Sequence, residues 1–422
     1  MLIYEIICIA YPLDVCYTNK MEMIIMINQQ MLALGQNRSV IRELFEYGKK
    51  KIAECGADNV FDYSLGNPSV PAPDCVNTAI KTILDTTPCV TVHGYTSAVG
   101  DLDTRQAIAN DLNARFSTKY SADNLFLTCG AAASLVSVFK ALIAYNKSEI
   151  IAIAPYFPEY KCFAEANGAV FRTISPDTEG FQINFEELDK AINTNTQAVI
   201  INSPNNPSGS VYSEETIQRL AALLTAKSKA VGHPIYIISD EPYRELVYDN
   251  FKLPFIPKYY PSTIVCYSYS KSLSLPGERI GYVLVPPTCK AASSVYAAAL
   301  GAARASGYVC APSLMQEVVK RCVSARPDLE TYQKNRDLLW SSLSEMGYNC
   351  VKPSGAFYLF FEAPNGDAEA FSEKAKEYNL LLVPGTGFGC PGWLRAAYCV
   401  DYAMIERSLP AFKSVYDFFA EQ

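Results

Sequence analysis

Histidine is almost missing from this chain. His93 and His233 are the only two in 422 residues, which excludes a histidine-rich metal centre and a serine–histidine–aspartate relay; no metal site is expected. The 14 cysteines include no Cys-x-x-Cys pair, so neither a zinc ribbon nor a dithiol redox motif is present. Several of them (Cys129, Cys266, Cys399) stand inside apolar runs where a thiol packs as a small core group, a usage that fits the reducing cytoplasm. Basic charge is not in excess: 36 Lys and Arg face 43 Asp and Glu, the net charge is −7, and no basic stripe offers itself to a phosphodiester backbone. Nucleic acid is therefore excluded as a partner. Internal repeats, low-complexity tracts and long charge runs are absent as well. The stretch Met1 to Tyr11 is apolar, but Glu5 interrupts it, no basic leader or small-residue cleavage site flanks it, and it is too short to span a bilayer. Residues 1–30 read as a non-native or flexible extension, and no membrane partner is expected.

What the chain does have is apolar residues, half of the total, enough for a large core and two domains. Apolar spacing from Ser39 to Gly56 predicts a first helix with Ser39 as N-cap. Between residues 124 and 303 strands and helices alternate, which demands a mainly parallel sheet. The strands 124–129, 149–154, 197–202, 234–239 and 263–267 each finish in polar or aromatic residues, at the edge where open α/β sheets hold ligands. After residue 304 helices precede short strands at 355–360, 380–385 and 393–398. The expected fold is α/β: a large domain, 76–303, whose mainly parallel sheet is flanked by helices, and a smaller α+β domain assembled from 31–75 and 304–422.

Lys271 emerges from the end of the run Thr263-Ile264-Val265-Cys266-Tyr267. Burial there lowers the pKa of an amine and makes it a nucleophile toward an aldehyde. Arg279 follows eight residues later, with Ser268 and Ser270 before it and a Pro-Gly turn between, an arrangement able to close around a phosphate. Gly130, Ala131 and Ala132 open a helix with side chains too small to cover the backbone N–H groups, a second anion site. An amine beside a phosphate clamp points to pyridoxal 5′-phosphate.

Ser-x-Ser-Lys followed by Gly-Glu-Arg-x-Gly closely resembles the cofactor-attachment segment of the class I/II aminotransferases, the fold-type I enzymes that use pyridoxal phosphate. The resemblance extends over roughly 39–400 and implies further roles. Asp240 and Tyr243, in Asp-Glu-Pro-Tyr, would meet the pyridinium nitrogen and the ring hydroxyl. Asn206, in Asn-Asn-Pro-Ser-Gly, would share that hydroxyl, and Phe157 would stack on the ring. Tyr95 would reach the phosphate of a second subunit, which requires a homodimer. Arg395, in Trp-Leu-Arg-Ala-Ala-Tyr, would grip the substrate α-carboxylate with a paired contact, helped by the backbone amide of Gly66. The bonds Ala154–Pro155 and Asn206–Pro207 would be cis.

Taken together these imply a cytoplasmic enzyme of amino-acid metabolism, moving an amino group between an L-amino acid and a 2-oxo acid by a ping-pong mechanism. The segments 39–73 and 268–282 look most like bacterial proteins called aspartate aminotransferases. Against aspartate, Ala132 stands where one dicarboxylate-using subgroup carries a lysine, so aspartate, alanine and aromatic donors all stay open; Arg304 is a weak candidate for a side-chain contact. A carbon–sulfur β-lyase would share every cofactor contact. A non-catalytic ligand sensor would need a basic DNA-binding domain ahead of the fold, for which the residues before Ser39 leave no room.

Overall fold

The computed structural model describes residues 27–36 and 40–420. It divides into two units, Met1–Arg38 and Ser39–Gln422. In the first, the short helix Gln29–Gln36 buries none of its residues. The expected Ser39 cap and most of the 1–30 extension lie outside the described residues.

In the second unit the described residues form twelve strands: β1 (Phe61–Asp62), β2 (Leu125–Thr128), β3 (Glu149–Ile153), β4 (Val170–Ile174), β5 (Thr196–Asn202), β6 (Tyr236–Asp240), β7 (Thr263–Ser268), β8 (Gly281–Leu284), β9 (Tyr358–Glu362), β10 (Leu380–Leu381), β11 (Val383–Pro384) and β12 (Trp393–Ala397). Seven make one sheet in the order β2-β8-β7-β6-β5-β3-β4. Every pairing from β4 through β7 is parallel, and β8 alone runs against its neighbours. Helices cover both faces, so the central strands are apolar along their whole length rather than alternating. The two-residue period still decides which side each residue faces. Ile151, Val199 and Ile237 join one core cluster, and Ile150, Ala152, Ile200 and Ile238 join the one on the opposite side.

The smaller part contains an antiparallel sheet, β11-β12-β9, and the parallel pair β1-β10. Tyr63 and Val70, early in the chain, share a core with Tyr332, Phe357, Leu380 and Phe412 from its far end. The run 380–385, read from the sequence as one strand, is two: Leu380–Leu381 pairs with β1 and Val383–Pro384 with β12, because the chain changes partner at Leu382. The strand expected from 355 begins at Tyr358, since Gly355 lies against Pro204 and Ala356 takes a positive φ of 56°. The helix after Gly130 ends at Leu142, short of Tyr145. Ala154–Pro155 and Asn206–Pro207 are cis, and Ser203–Pro204 is cis too.

Register places the site. Asn202, Asp240 and Cys266 are lateral neighbours at the carboxyl ends of β5, β6 and β7. One residue pair further on, the chain turns into the single-turn helix Tyr269–Ser272, capped by the Ser268 hydroxyl, which accepts from the Ser270 N–H at 3.0 Å. Lys271 sits on that turn.

Candidate active site

A cavity of about 280 Å³ opens at these strand ends. Gly66, Ala131, Ala132, Phe157, Asn206, Asp240, Tyr243, Ser268, Ser270, Lys271, Arg279 and Arg395 all line it. They come from segments as far apart as 66 and 395 in the sequence: the strand ends of the seven-stranded sheet supply most of them, while Gly66 follows β1 and Arg395 stands on β12 of the smaller antiparallel sheet.

The Lys271 amine donates to the carbonyl of Gly66 at 2.6 Å and lies 5.3 Å from the Phe357 ring. Burial pulls its pKa down from 10.5 to about 8; the nearby Cys399 thiol opposes this, and the Arg279 and Arg395 guanidinium groups add to it. Asp240 shows the opposite case. Burial pushes its pKa up to about 7 and Glu241 adds to the rise, while a hydrogen bond from Tyr160 holds it down. The Tyr160 hydroxyl donates to Oδ2, and Oδ1 is buried with no partner among the described residues.

Arg395, only 2 % exposed, donates to the Asn206 Oδ1 at 2.9 Å and to the Ser64 carbonyl at 2.5 Å; its Nε has no partner among the described residues. Its guanidinium lies over the Tyr358 ring, 4.7 Å from the centroid. Tyr358 also meets Tyr243, hydroxyl to hydroxyl, at 2.8 Å. The hydroxyls of Ser268 and Ser270 are 2.5 Å apart. Gly130, at φ +83°, sits under Arg279: a Cβ there would come within 2.8 Å of the Arg279 Nη2. Glycine is required at that position both for its backbone and for the guanidinium it lets in.

Gly66, Tyr95 and Arg304 stand as follows in the single chain. The Gly66 group that meets a functional side chain is its carbonyl, turned to Lys271. Tyr95 is 98 % exposed and does not line this cavity, so a single chain does not bring it to the site. Arg304 ends the helix Ala292–Ala305 on the surface, away from the cavity lining. The structure also adds residues that sequence reasoning missed. Asn202 holds the Asp240 carbonyl at 2.9 Å through its Nδ2 and accepts from the Asn206 N–H at 2.7 Å. Tyr160, Tyr358 and the apolar Ile41 and Leu65 are the others. Asn202 ends a buried strand, and an asparagine there is a readable signal; the two tyrosines sit in aromatic-rich runs that give none.

Comparison with known proteins bears on this arrangement directly. The family model for aminotransferase class I and II matches residues 58–412. The chain belongs to that family. The aromatic-amino-acid aminotransferase 2 of Thermococcus litoralis is 26% identical over 408 residues, covering 90% of this chain and 96% of its own. The aspartate aminotransferase of Thermotoga maritima is 28% identical over 366 residues, with 86% and 92% covered. The crystal structure of an amino transferase from Eubacterium rectale superposes with a TM-score of 0.92 at 56% identity, covering 94% of this chain and 99% of that one.

This aminotransferase therefore has the fold-type I architecture, a dependence on pyridoxal 5′-phosphate, and an amino acid and a 2-oxo acid as substrates. Its cavity fits the cofactor. The unpartnered Asp240 Oδ1 is a buried acceptor waiting for a cationic N–H, the Gly130–Arg279 approach leaves a cradle that a side chain would fill, and Phe157 presents a half-buried ring beside them. Among the described residues no helix is long and apolar enough to cross a membrane, and no cluster of acidic, cysteine and histidine residues suits a metal ion.

Proposed function

We propose that Lys271 is the residue that binds the cofactor aldehyde and moves the substrate proton, and that Arg395 fixes the substrate by its α-carboxylate. The observation that carries this is the depressed, buried amine of Lys271 facing the same cavity as Asp240 Oδ1 and the Arg395 guanidinium. The bound pyridoxal ring supplies an electron sink for the bond broken at the substrate Cα. Asp240 keeps the ring nitrogen protonated, Tyr243 and Asn206 hold the ring hydroxyl, and Phe157 stacks on the face. Ser268, Ser270, Arg279 and the helix-start amides of Gly130, Ala131 and Ala132 hold the phosphate. With a pKa near neutral, Lys271 accepts and returns a proton at working pH. Ile41 and Leu65 form apolar wall that a substrate side chain would meet, so donors with apolar or aromatic side chains fit alongside aspartate.

The enzyme is a homodimer in this reading, with the exposed Tyr95 reaching the partner's phosphate site. It works in the cytoplasm in amino-acid biosynthesis; its 12 described cysteines are all free thiols. Residues 76–303 form the cofactor-binding domain, joined by the helix Ser313–Cys322, whose Met315, Val318 and Cys322 share a core with Val76, Ile83 and Tyr267 rather than with the smaller domain expected to begin at 304; the rest of the stretch up to residue 420 forms the smaller domain with the part of 31–75 that follows residue 40. Shared packing of Tyr63 with Phe412 and pairing of β1 with β10 support that division.

The test is Lys271→Ala, assayed by half-transamination and by the visible absorbance of covalently held cofactor. Both are expected to vanish, and a variant that still transaminates removes Lys271 from this role. In the same assay, mixing Lys271→Ala subunits with inactive Tyr95 variants restores part of the activity if the site is shared between two chains. No restoration would leave each site self-contained.

A further inference from the structure

Tyr160 occupies the first turn of the helix Glu159–Ala166, is 1 % exposed, and lies 80 residues from the acid it touches. Its hydroxyl donates to Asp240 Oδ2. Its ring meets Phe157 edge-on, with centroids 5.6 Å apart at 80°. One side chain thus contacts both the aromatic wall of the cavity and its only buried carboxylate among the lining residues.

We propose that Tyr160 is a positioning residue: it keeps Asp240 ionised and turns the free Oδ1 toward the ring nitrogen. The proposal rests on the reading that the cavity holds the pyridoxal ring with Asp240 at that nitrogen. A carboxylate has two oxygens, and a dry site disfavours its charge; a phenol that donates to one oxygen stabilises the anion and fixes which oxygen is left over. The other groups around Asp240 do not supply this. Glu241 and Tyr243 face it as an acid and a phenol whose charged forms would repel it, Cys266 is a buried thiol on the next strand, and Asn202 bonds only its backbone carbonyl. Tyr160 cannot itself lose its proton there, because burial and the neighbouring carboxylate push its pKa well above 10, so it stays a donor. The residue acts through Asp240 and touches no reacting atom.

The experiment uses holoenzyme loaded with pyridoxal phosphate labelled with ¹⁵N in the ring. The nitrogen resonance is followed against pH in the wild type, in Tyr160→Phe and in Asp240→Asn. Tyr160→Phe keeps the ring that packs on Phe157 and removes only the hydroxyl. It is expected to lower the midpoint of ring-nitrogen deprotonation by about one pH unit or more, the equivalent of a tenfold change in the protonation equilibrium. Cofactor dissociation is expected to accelerate in the same variant. An unshifted nitrogen in Tyr160→Phe, with a large shift in Asp240→Asn, overturns the role of Tyr160 alone. A nitrogen that stays protonated in Asp240→Asn overturns the placement of Asp240 on which the proposal stands.

Discussion

Arg395 shows how a buried charge is prepared for a ligand. Burial pulls its pKa below the ordinary guanidinium value, yet the structure gives it two acceptors, Asn206 Oδ1 and the Ser64 carbonyl, and an aromatic face. None of these is an anion, so the guanidinium is held in place without being neutralised. A carboxylate entering the cavity would be its first full counter-charge, and the planar fork would bind it in two parallel contacts. Arg395→Lys keeps the charge and loses the fork. We expect it to lower kcat/KM for the amino donor by at least about thirtyfold, the lower end of the ~2–5 kcal/mol lost when one partner of a buried, hydrogen-bonded charge pair is truncated. Steady-state kinetics with several donors checks this, and an equal efficiency would move the carboxylate contact elsewhere.

At the scale of elements, the sheet edge that carries the chemistry is backed by a buried ionic cluster. Arg244 pairs with Glu241 and donates to the Tyr282 hydroxyl at 2.8 Å. Arg115 meets Glu245 at 2.9 Å, and the Tyr267 hydroxyl links Glu245 at 2.7 Å to Ser272 at 2.9 Å, next to Lys271. Arg115 also meets Asp111 at 3.2 Å, so the cations beneath the turn that presents the lysine are matched by acids on more than one side. Glu241→Ala leaves the Arg244 guanidinium buried without its nearest counter-charge, and we expect a loss of about 3–5 kcal/mol in unfolding free energy. Urea unfolding measures it; a loss under about 1 kcal/mol would mean that Glu245 takes over the pairing. This cluster was not legible in the sequence, where Asp240-Glu241-Pro242-Tyr243-Arg244-Glu245 reads as a polar strand end. What was legible follows from local rules. The five parallel-sheet strands announced themselves by apolar runs ending in polar residues, and Lys271, Arg279, Asp240 and Asn206 stood at those ends. β4 was hidden because three of its five residues are exposed, and β8 because it follows the Lys271 turn with no signal of its own direction. Tyr160 and Tyr358 were hidden for a different reason. Their partners, Asp240 and Tyr243, are chosen by crossings of the chain that no local pattern records.

For the whole molecule, the two shifted groups in the cavity make opposite demands on stability, and their signs can be separated. Lys271 has a folded pKa of about 8 against an ordinary 10.5. Below pH 8 both states are protonated and the fold bears the full cost of a buried ammonium. Between 8 and 10.5 the unfolded chain binds more protons than the folded one, so stability rises with pH, by on the order of 3 kcal/mol across the window. Asp240 has a folded pKa of about 7 against an ordinary 3.8. Between these values the folded state holds the extra proton, so stability falls as pH rises, and above 7 the fold carries a buried carboxylate, at a cost on the order of 4 kcal/mol. In cofactor-free protein, Lys271→Met should therefore be more stable than the wild type at pH 7, with the advantage shrinking from pH 8 toward 10.5. Asp240→Asn should gain its advantage between pH 4 and 7 and keep it above. Taking differences between variant and wild type cancels the buried tyrosines common to both, whose raised pKa values lower stability only above about pH 10. Denaturant midpoints read against pH decide the matter: a Lys271→Met advantage that does not change with pH would show that the amine keeps its ordinary pKa, solvated rather than buried, in the cofactor-free fold. With cofactor bound, each group has a partner, and both slopes are expected to flatten.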